Sequence, residues 1–263
     1  MFNPIKYFTK PKSEYVRILR IKASQFFSFP FRIGKTFFLN MYIAYLPDSY
    51  ARKGGHGEFP ELFKRFTQEN TLNNSGDIAR VWFFILNIKQ VLSEDVQGDI
   101  AEVGVWRGNT AAILAHYAKE SNRKAYFFDT YEGFDARDLT GIDQHKKVAF
   151  GNTTLDTVRS VVGRDNDAYE LVKGYFPQVV TETHRNRQYA IVSLDVDLYE
   201  PTKAGLDFFY ERMPIGGVFF IHDYLSKHWS GVKEAVDEFC ARTGERVVVM
   251  PDKCGSVLIR RAR

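Results

Sequence analysis

The sequence predicts an α/β protein built on a seven-stranded, mostly parallel sheet that ends in an antiparallel hairpin, with helices in front of it. Three observations predict this fold class. From residue 98 onward, short apolar runs alternate with helical patterns, which is typical of a parallel sheet covered by helices on both faces. A glycine turn follows the first apolar run. The last two apolar runs are joined by so short a turn that their strands cannot be parallel.

Length and composition limit the number of domains. With 263 residues, 44% of them hydrophobic, the chain is large enough for one full core, and two large domains would be cramped. We expect a basic, aromatic arm over residues 1–36, a helical cap or lid over residues 37–97 and the α/β core over residues 98–263. The chain shows neither an apolar stretch of about 18 residues nor the pattern of a signal peptide. It is therefore predicted to be cytoplasmic.

The N-terminal arm differs in charge from the rest of the chain. Residues 1–35 carry eight Lys or Arg against one acid, so the remainder of the chain, whose total is +4, has a net charge of −3. Aromatic residues are interleaved with these charges, which predicts peripheral contact with the inner face of a membrane or with a lipid-linked glycan. A second interpretation is a helix that packs on the body, or on a second subunit of a homo-oligomer, through Val16, Leu19, Ala23 and Phe26.

The elements follow in order along the chain. Residues 40–92 have a helical pattern that Pro47, the Gly54-Gly55 pair and Pro60 interrupt, and residues 77–91 predict its longest helix. Strands are expected at residues 98–103, 125–129, 169–172, 189–195, 217–221, 246–250 and 256–260. Helices are expected after the glycine turn, through residues 111–118, and at residues 154–162, 202–213 and 232–240.

The glycine turn follows the first strand, at the edge where doubly wound sheets bind ligands. Gly104 allows a tight turn, and Gly108 allows close approach at the start of the helix. Their spacing does not match the dinucleotide fingerprint and favours S-adenosylmethionine over a pyrophosphate cofactor. Asp129 ends the second strand, where an acidic residue commonly accepts hydrogen bonds from ribose hydroxyls. A plain strand-to-helix turn and a helix cap are the alternatives for these residues.

A second group of polar residues follows two other strands. Asp195 and Asp197 are two residues apart, so in extended geometry both side chains point to one face. His222 and Asp223 follow a neighbouring strand and can meet them there. Three carboxylates brought together repel one another unless one is protonated or a cation lies between them. Oxygen ligands favour Mg²⁺, and a histidine in the set also admits Mn²⁺.

Five motifs in this order resemble the macrocin O-methyltransferase (TylF-type) family. They are EVGVWRG at residues 102–108, DTYEGF at 129–134, KGYFP at 173–177, LDVDLYEPT at 194–202 and GGVFFIHDY at 216–224. The resemblance runs from about Gly98 to Ile259. It implies a class I Rossmann-like methyltransferase fold and transfer of a methyl group from S-adenosylmethionine to a sugar hydroxyl of a natural-product glycoside or a surface polysaccharide.

The resemblance also implies roles for individual residues. Six would surround the cofactor: Glu102, Gly104, Gly108, Asp129, Lys173 and Gly174. Asp195, His222 and Asp223 would hold a divalent metal, although the family has an acid at the position of His222. Asp197 matches the residue proposed as the general base in the family, and His222 is the competing candidate.

Two other functions remain open from the sequence. A catechol-type O-methyltransferase shares the sheet and the metal-assisted deprotonation but acts on a planar phenol. A non-catalytic relative would keep the fold and bind the cofactor weakly or not at all. Nucleic acid is not an expected partner, because the body is slightly acidic and lacks the Asn-Pro-Pro-Tyr-like motif of base N-methyltransferases.

The arm yields the first testable prediction. At low salt, the full chain should sediment with anionic vesicles more strongly than a chain lacking residues 1–36, because basic and aromatic side chains bind an anionic surface. The difference in sedimentation between the two chains should become smaller as salt is added. Vesicles of neutral lipid are the control. Equal sedimentation of the two chains with anionic vesicles would rule out this role.

Overall fold

The computed structural model describes residues 55–263. The predicted N-terminal arm and the first part of the predicted cap, up to residue 54, lie outside the described residues. Within the described part, no helix is both long enough and apolar enough to cross a membrane.

Within residues 55–98, three helices precede the sheet: α1 (Phe59–Thr67), α2 (Thr71–Asn74) and α3 (Ile78–Ser93). Pro60 lies in the first turn of α1, where a missing backbone N–H costs no helical hydrogen bond. α3 begins and ends within two residues of the predicted helix, and its predicted apolar face is buried at Val81, Phe84, Ile85 and Ile88. This face packs on the sheet, and the Phe84 ring stacks on the Phe220 ring at 4.2 Å between centroids.

The sheet contains the seven predicted strands: β1 (Asp99–Val103), β2 (Ala125–Asp129), β3 (Tyr169–Lys173), β4 (Tyr189–Leu194), β5 (Val218–Ile221), β6 (Val247–Val249) and β7 (Val257–Arg260). Their order is β3-β2-β1-β4-β5-β7-β6. The first five are parallel, and β7 is antiparallel to both β5 and β6. The predicted fold class, including the C-terminal hairpin, is confirmed.

Five further helices lie between the strands: α4 (Asn109–Glu120), α5 (Leu155–Val162), α6 (Glu182–Arg185), α7 (Tyr199–Tyr210) and α8 (Ser230–Thr243). α7 begins three residues before the predicted start at Thr202. The sequence misplaced this boundary because Pro201 suggested a turn, whereas a proline is tolerated within the first turn of a helix. Two short 3₁₀ turns, Ala136–Asp138 and Gly141–Asp143, lie in the long segment after β2.

Side chains of each strand alternate between two apolar layers. Phe127 and Phe220 belong to the layer that contains α3 and α4, whereas Phe128 and Phe219 belong to the layer that contains α7 and α8. α3, which the sequence assigned to a cap, therefore shares its core with the sheet. Its N-terminal end is fixed close to the carboxyl ends of the strands, where the chain places its polar side chains.

Candidate active site

A cavity of about 490 Å³ opens at the carboxyl edge of the sheet. The segments that follow β1 to β5 line it, together with the start of α3 and the turn between β6 and β7. Eight of the ten predicted site residues line this cavity: Glu102, Gly104, Asp129, Gly174, Asp195, Asp197, His222 and Asp223. The two predicted clusters, one for the cofactor and one of acids, therefore share one space.

The glycine turn after β1 packs directly against the end of β4. Gly104 has a positive φ of 85°. A Cβ at this position would lie only 2.1 Å from the backbone oxygen of Asp195. Glycine is thus required here both by backbone conformation and by close approach, as the sequence predicted for a tight turn.

The Asp129 carboxylate anchors this turn. Its Oδ2 accepts hydrogen bonds from the backbone N–H groups of Val105 and Trp106 at 2.7 and 2.8 Å, and its Oδ1 accepts one from Tyr131 at 2.6 Å. The sequence predicted a ribose contact for Asp129 and did not predict this structural role. Asp129 also lines the cavity, so the ribose contact stays a prediction.

Glu102 is a buried carboxylate beside the turn, with 1% of its surface exposed. Its Oε1 accepts a hydrogen bond from Ser193 Oγ at 3.1 Å, and its Oε2 has no hydrogen-bond partner among residues 55–263. Burial raises the pKa of Glu102 well above its ordinary value, and the charge of Asp195 adds to this rise. A cation bound in the cavity would satisfy the remaining oxygen.

Two residues that were predicted to surround the cofactor do not line the cavity. Lys173 Nζ pairs with Glu132 Oε1 at 2.7 Å on the surface. Gly108 has a positive φ of 84° at the start of α4, where an added Cβ would lie 3.0 Å from a methyl of Val158 in α5. Gly108 therefore serves the packing of two helices. Gly174, next to Lys173, does line the cavity.

The acids converge through the backbone turns that follow β4 and β5. Oxygens of Asp195, Asp197 and Asp223 lie within 4.8 Å of one another. The sequence predicted this meeting from an extended strand through residue 195, but β4 ends at Leu194. Asp197 and Asp223 instead have positive φ angles of 62° and 61°. This conformation is rare for residues other than glycine and is typical of functional sites.

Two cationic side chains contact these acids. Arg80, near the start of α3, donates from Nη2 to Asp195 Oδ2 at 2.7 Å. His222 Nδ1 lies 2.9 Å from Asp195 Oδ1 and 2.5 Å from Asp223 Oδ2. Arg80 was missed by the sequence analysis. The available signal was an arginine within the otherwise apolar residues 78–85, where a charged residue stays buried only with a partner.

The pKa values of this cluster shift in opposite directions. Burial raises the pKa of Asp197 well above its ordinary value, and Asp195 and Asp223 add to the rise. Burial also opposes the charged form of Asp195, yet His222 and Arg80 hold the pKa of Asp195 below its usual range. Burial and Arg80 disfavour the charged imidazole, yet Asp195 and Asp223 raise the pKa of His222 well above its ordinary value.

The donor set fits a small divalent cation. Three carboxylates whose oxygens lie within 4.8 Å offer the oxygen ligands that Mg²⁺ and Mn²⁺ accept. The predicted metal set contained His222 and lacked Asp197. In the structure His222 Nδ1 contacts two of the carboxylates, so it competes with a metal for their oxygens. His222 also belongs to two other groups that could hold a metal, one with Asp223 and Cys254 and one with Asp77 and Asp252, so its role as a metal ligand stays a prediction.

The sheet order, the glycine turn and the cavity at the carboxyl edge define a class I Rossmann-like methyltransferase fold. A sequence model of the family described as Macrocin-O-methyltransferase (TylF) matches residues 79–251. The chain belongs to this family.

Two relatives are similar in sequence, and one solved structure shares the fold. The chain is 27% identical over 169 residues to 8-demethyl-8-(2,3-dimethoxy-alpha-L-rhamnosyl)-tetracenomycin-C 4'-O-methyltransferase of Streptomyces olivaceus, which covers 60% of this chain and 63% of the relative. It is 27% identical over 169 residues to demethyldecarbamoylnovobiocin O-methyltransferase of Streptomyces niveus, a match that covers 59% of this chain and 63% of the relative. The match thus spans under two thirds of each relative. The structure of the O-methyltransferase NovP superposes with a TM-score of 0.62 at 22% identity, covering 73% of this chain and 83% of that one, and shares the fold.

Glu102 gives a prediction about stability. Because folding raises the pKa of Glu102 above its ordinary 4.5, the folded state binds more protons than the unfolded state, and stability is lost as pH rises through the raised value. Glu102→Gln removes this loss. The free energy of unfolding of the variant, measured with urea, should therefore increase relative to that of the wild type as the pH rises above 4.5.

The control is Glu182→Gln, since the Glu182 side chain is 84% exposed. Its unfolding free energy should follow that of the wild type within about 0.5 kcal/mol across the same pH range. A Glu102→Gln variant that parallels the wild type at every pH would contradict the raised pKa.

Proposed function

We propose that the protein transfers the methyl group of S-adenosylmethionine to a hydroxyl of a sugar in a natural-product glycoside or a surface polysaccharide. The observation that carries this proposal is the single cavity that joins the glycine turn and Glu102 to the three carboxylates. A methyltransferase needs both groups side by side, because the acceptor oxygen must be aligned with the methyl group and its leaving sulfur.

The cofactor half of the cavity suits S-adenosylmethionine, which supplies a methyl group on a positively charged sulfur. Glu102 offers a carboxylate oxygen without a partner among the described residues, and an ammonium group would pair with it. Gly104 leaves space where a side chain would obstruct the turn. Asp129 and Gly174 line the neighbouring wall, and we assign the ribose to Asp129.

The acidic half of the cavity activates the acceptor. A sugar hydroxyl is a poor nucleophile until its proton is removed or its pKa is lowered. We assign proton removal to Asp197: its carboxylate takes the proton, the hydroxyl oxygen bonds to the methyl carbon, and the carbon–sulfur bond breaks to leave S-adenosylhomocysteine. Once Asp197 is ionised, its raised pKa makes it the stronger base. His222 is less suited, because two carboxylates favour its charged form, which has no lone pair to accept a proton.

We assign divalent-metal binding to Asp195 and Asp223. A bound Mg²⁺ or Mn²⁺ would lower the pKa of the acceptor hydroxyl. Arg80 and His222 already contact oxygens of these two residues, so they orient the carboxylates and also limit how much of each is available. Asp197 is the third carboxylate of the same group, and its oxygen lies within 4.8 Å of oxygens of the other two, close enough to take the proton of a hydroxyl bound there.

An aromatic cluster in the cavity also suits a second class of acceptor, a planar phenol. Four of the aromatic residues that line the cavity form a cluster in which neighbouring ring centroids lie 5.2 to 6.1 Å apart: Trp106, Phe134, Phe150 and Trp229. Such rings pack on the apolar face of a sugar and equally on a planar phenol. A catechol-type activity is therefore the alternative, and relatives named for sugar-bearing substrates favour the sugar.

An acceptor screen tests the proposed function. With S-adenosylmethionine, Mg²⁺ and a panel of deoxysugar glycosides, the protein should release S-adenosylhomocysteine, whereas catechols should give none. Gly104→Ala is the matched control, because its Cβ would meet the Asp195 backbone oxygen and should abolish turnover. Turnover on catechols alone would show that the acceptor is a phenol and not a sugar. A wild-type protein that does not bind S-adenosylhomocysteine in calorimetry would be a non-catalytic relative.

Two substitutions separate the proton acceptor from the metal ligands. Asp197→Asn should lower turnover by about 10²–10⁴-fold, the usual contribution of a general base, while S-adenosylhomocysteine affinity stays unchanged. Asp195→Asn should lose metal affinity together with turnover, and excess Mg²⁺ should restore part of it. Calorimetry and initial rates measure both.

Contrary results would redistribute these roles. Full turnover by Asp197→Asn would mean that His222, and not Asp197, removes the proton from the acceptor hydroxyl. A chelator-treated wild type that keeps its full activity, with no metal detected, would remove the metal from the mechanism while leaving methyl transfer intact.

A further inference from the structure

Arg80 has more hydrogen-bonding capacity than its contact with Asp195 uses. Its side chain is 7% exposed and lines the cavity. A guanidinium has five N–H donors. Nη2 donates to Asp195, and Nε is buried without a hydrogen-bond partner among the described residues, so the face of the guanidinium towards the cavity is the part left for a ligand. We propose that Arg80 binds the α-carboxylate of the methionine end of S-adenosylmethionine, an inference that rests on the proposed function.

The charges around the cavity favour such a group. Eight carboxylate side chains line it: Asp77, Glu102, Asp129, Asp135, Asp138, Asp195, Asp197 and Asp223. An anionic carboxylate that enters this space is repelled unless a cation receives it. The methionine end of the cofactor carries both an ammonium and a carboxylate. The acids suit the ammonium, so the carboxylate needs a separate, positive partner.

Among the described residues, three basic side chains line the cavity: Arg80, His222 and Lys253. His222 is held between Asp195 and Asp223. Lys253 is exposed at the rim, where its Nζ donates to the backbone oxygen of Asn73 at 2.8 Å. Arg80 is the buried cation that retains unused donors. Its planar fork also matches the geometry of a carboxylate better than an ammonium does.

Arg80 shares the cavity with the residue that would receive the ammonium. Both Arg80 and Glu102 line the cavity, and the charge of Arg80 acts on Glu102 strongly enough to oppose the rise of its pKa. The ammonium and the carboxylate of an amino acid are attached to the same carbon, so their partners must be neighbours. Glu102 and Arg80, which line the same cavity, offer these two partners.

The test compares two ligands on several proteins by calorimetry. S-adenosylhomocysteine carries the carboxylate, and its decarboxylated analogue keeps the amine but lacks the carboxylate. The wild type should bind S-adenosylhomocysteine about 10- to 100-fold more tightly, the effect of a charge-assisted hydrogen bond. Arg80→Met should bind the two ligands about equally. Arg80→Lys should keep part of the preference, and Lys253→Met, the matched control, should keep all of it.

This comparison separates a direct contact from support of Asp195. If Arg80→Met weakens both ligands by the same factor, Arg80 acts only through the fold or Asp195, and the proposal is overturned. Equal binding of the two ligands by the wild type overturns it without any variant, so misfolding of Arg80→Met, checked by circular dichroism, cannot hide a failure. A wild type that binds neither ligand would overturn the proposed function as well.

Discussion

The ion pair between Arg80 and Asp195 is the interaction on which the cavity depends. Burying a carboxylate is costly unless a cation and hydrogen bonds replace the water that it loses. Asp195 lies between the glycine turn and two other acids, so the site needs a cation at this point. Arg80 is positioned to supply it because α3 packs on the sheet, with Phe84 stacked on Phe220. The apolar packing of α3 on one face of the sheet thereby positions the positive charge that Asp195 needs at the edge of the sheet.

Carboxylates organise the backbone of the site as well as its chemistry. Asp129 accepts backbone hydrogen bonds from both the glycine turn and its own loop, which holds the turn at the cavity wall. Asp197 and Asp223 adopt left-handed conformations that cost of order 1–3 kcal/mol each, and they persist only where the surroundings fix them. The buried strands β4 and β5 immediately before them supply this support.

His222 distinguishes this chain from the acidic pattern that the resemblance implies at the metal site. The imidazole contacts two carboxylates and thus reduces the repulsion that an additional acid would increase. Together Arg80 and His222 stabilise a cluster whose oxygens would otherwise repel one another. With these two cations present, the three acids stay close to one another, and the pKa of Asp197 is still raised.

The sequence by itself determined the fold class, the seven strands, the C-terminal hairpin and the edge at which the site lies. These follow from apolar periodicity, from glycine at a position that tolerates no side chain, and from the rule that parallel strands end at one edge. Only the tertiary structure decided that Arg80 neutralises Asp195, that Asp129 anchors the turn, and that Gly108 and Lys173 lie outside the cavity. The physical reason is that pairing of charges and orientation of side chains depend on contacts between residues far apart in the chain, 115 positions for Arg80 and Asp195, which local patterns do not encode.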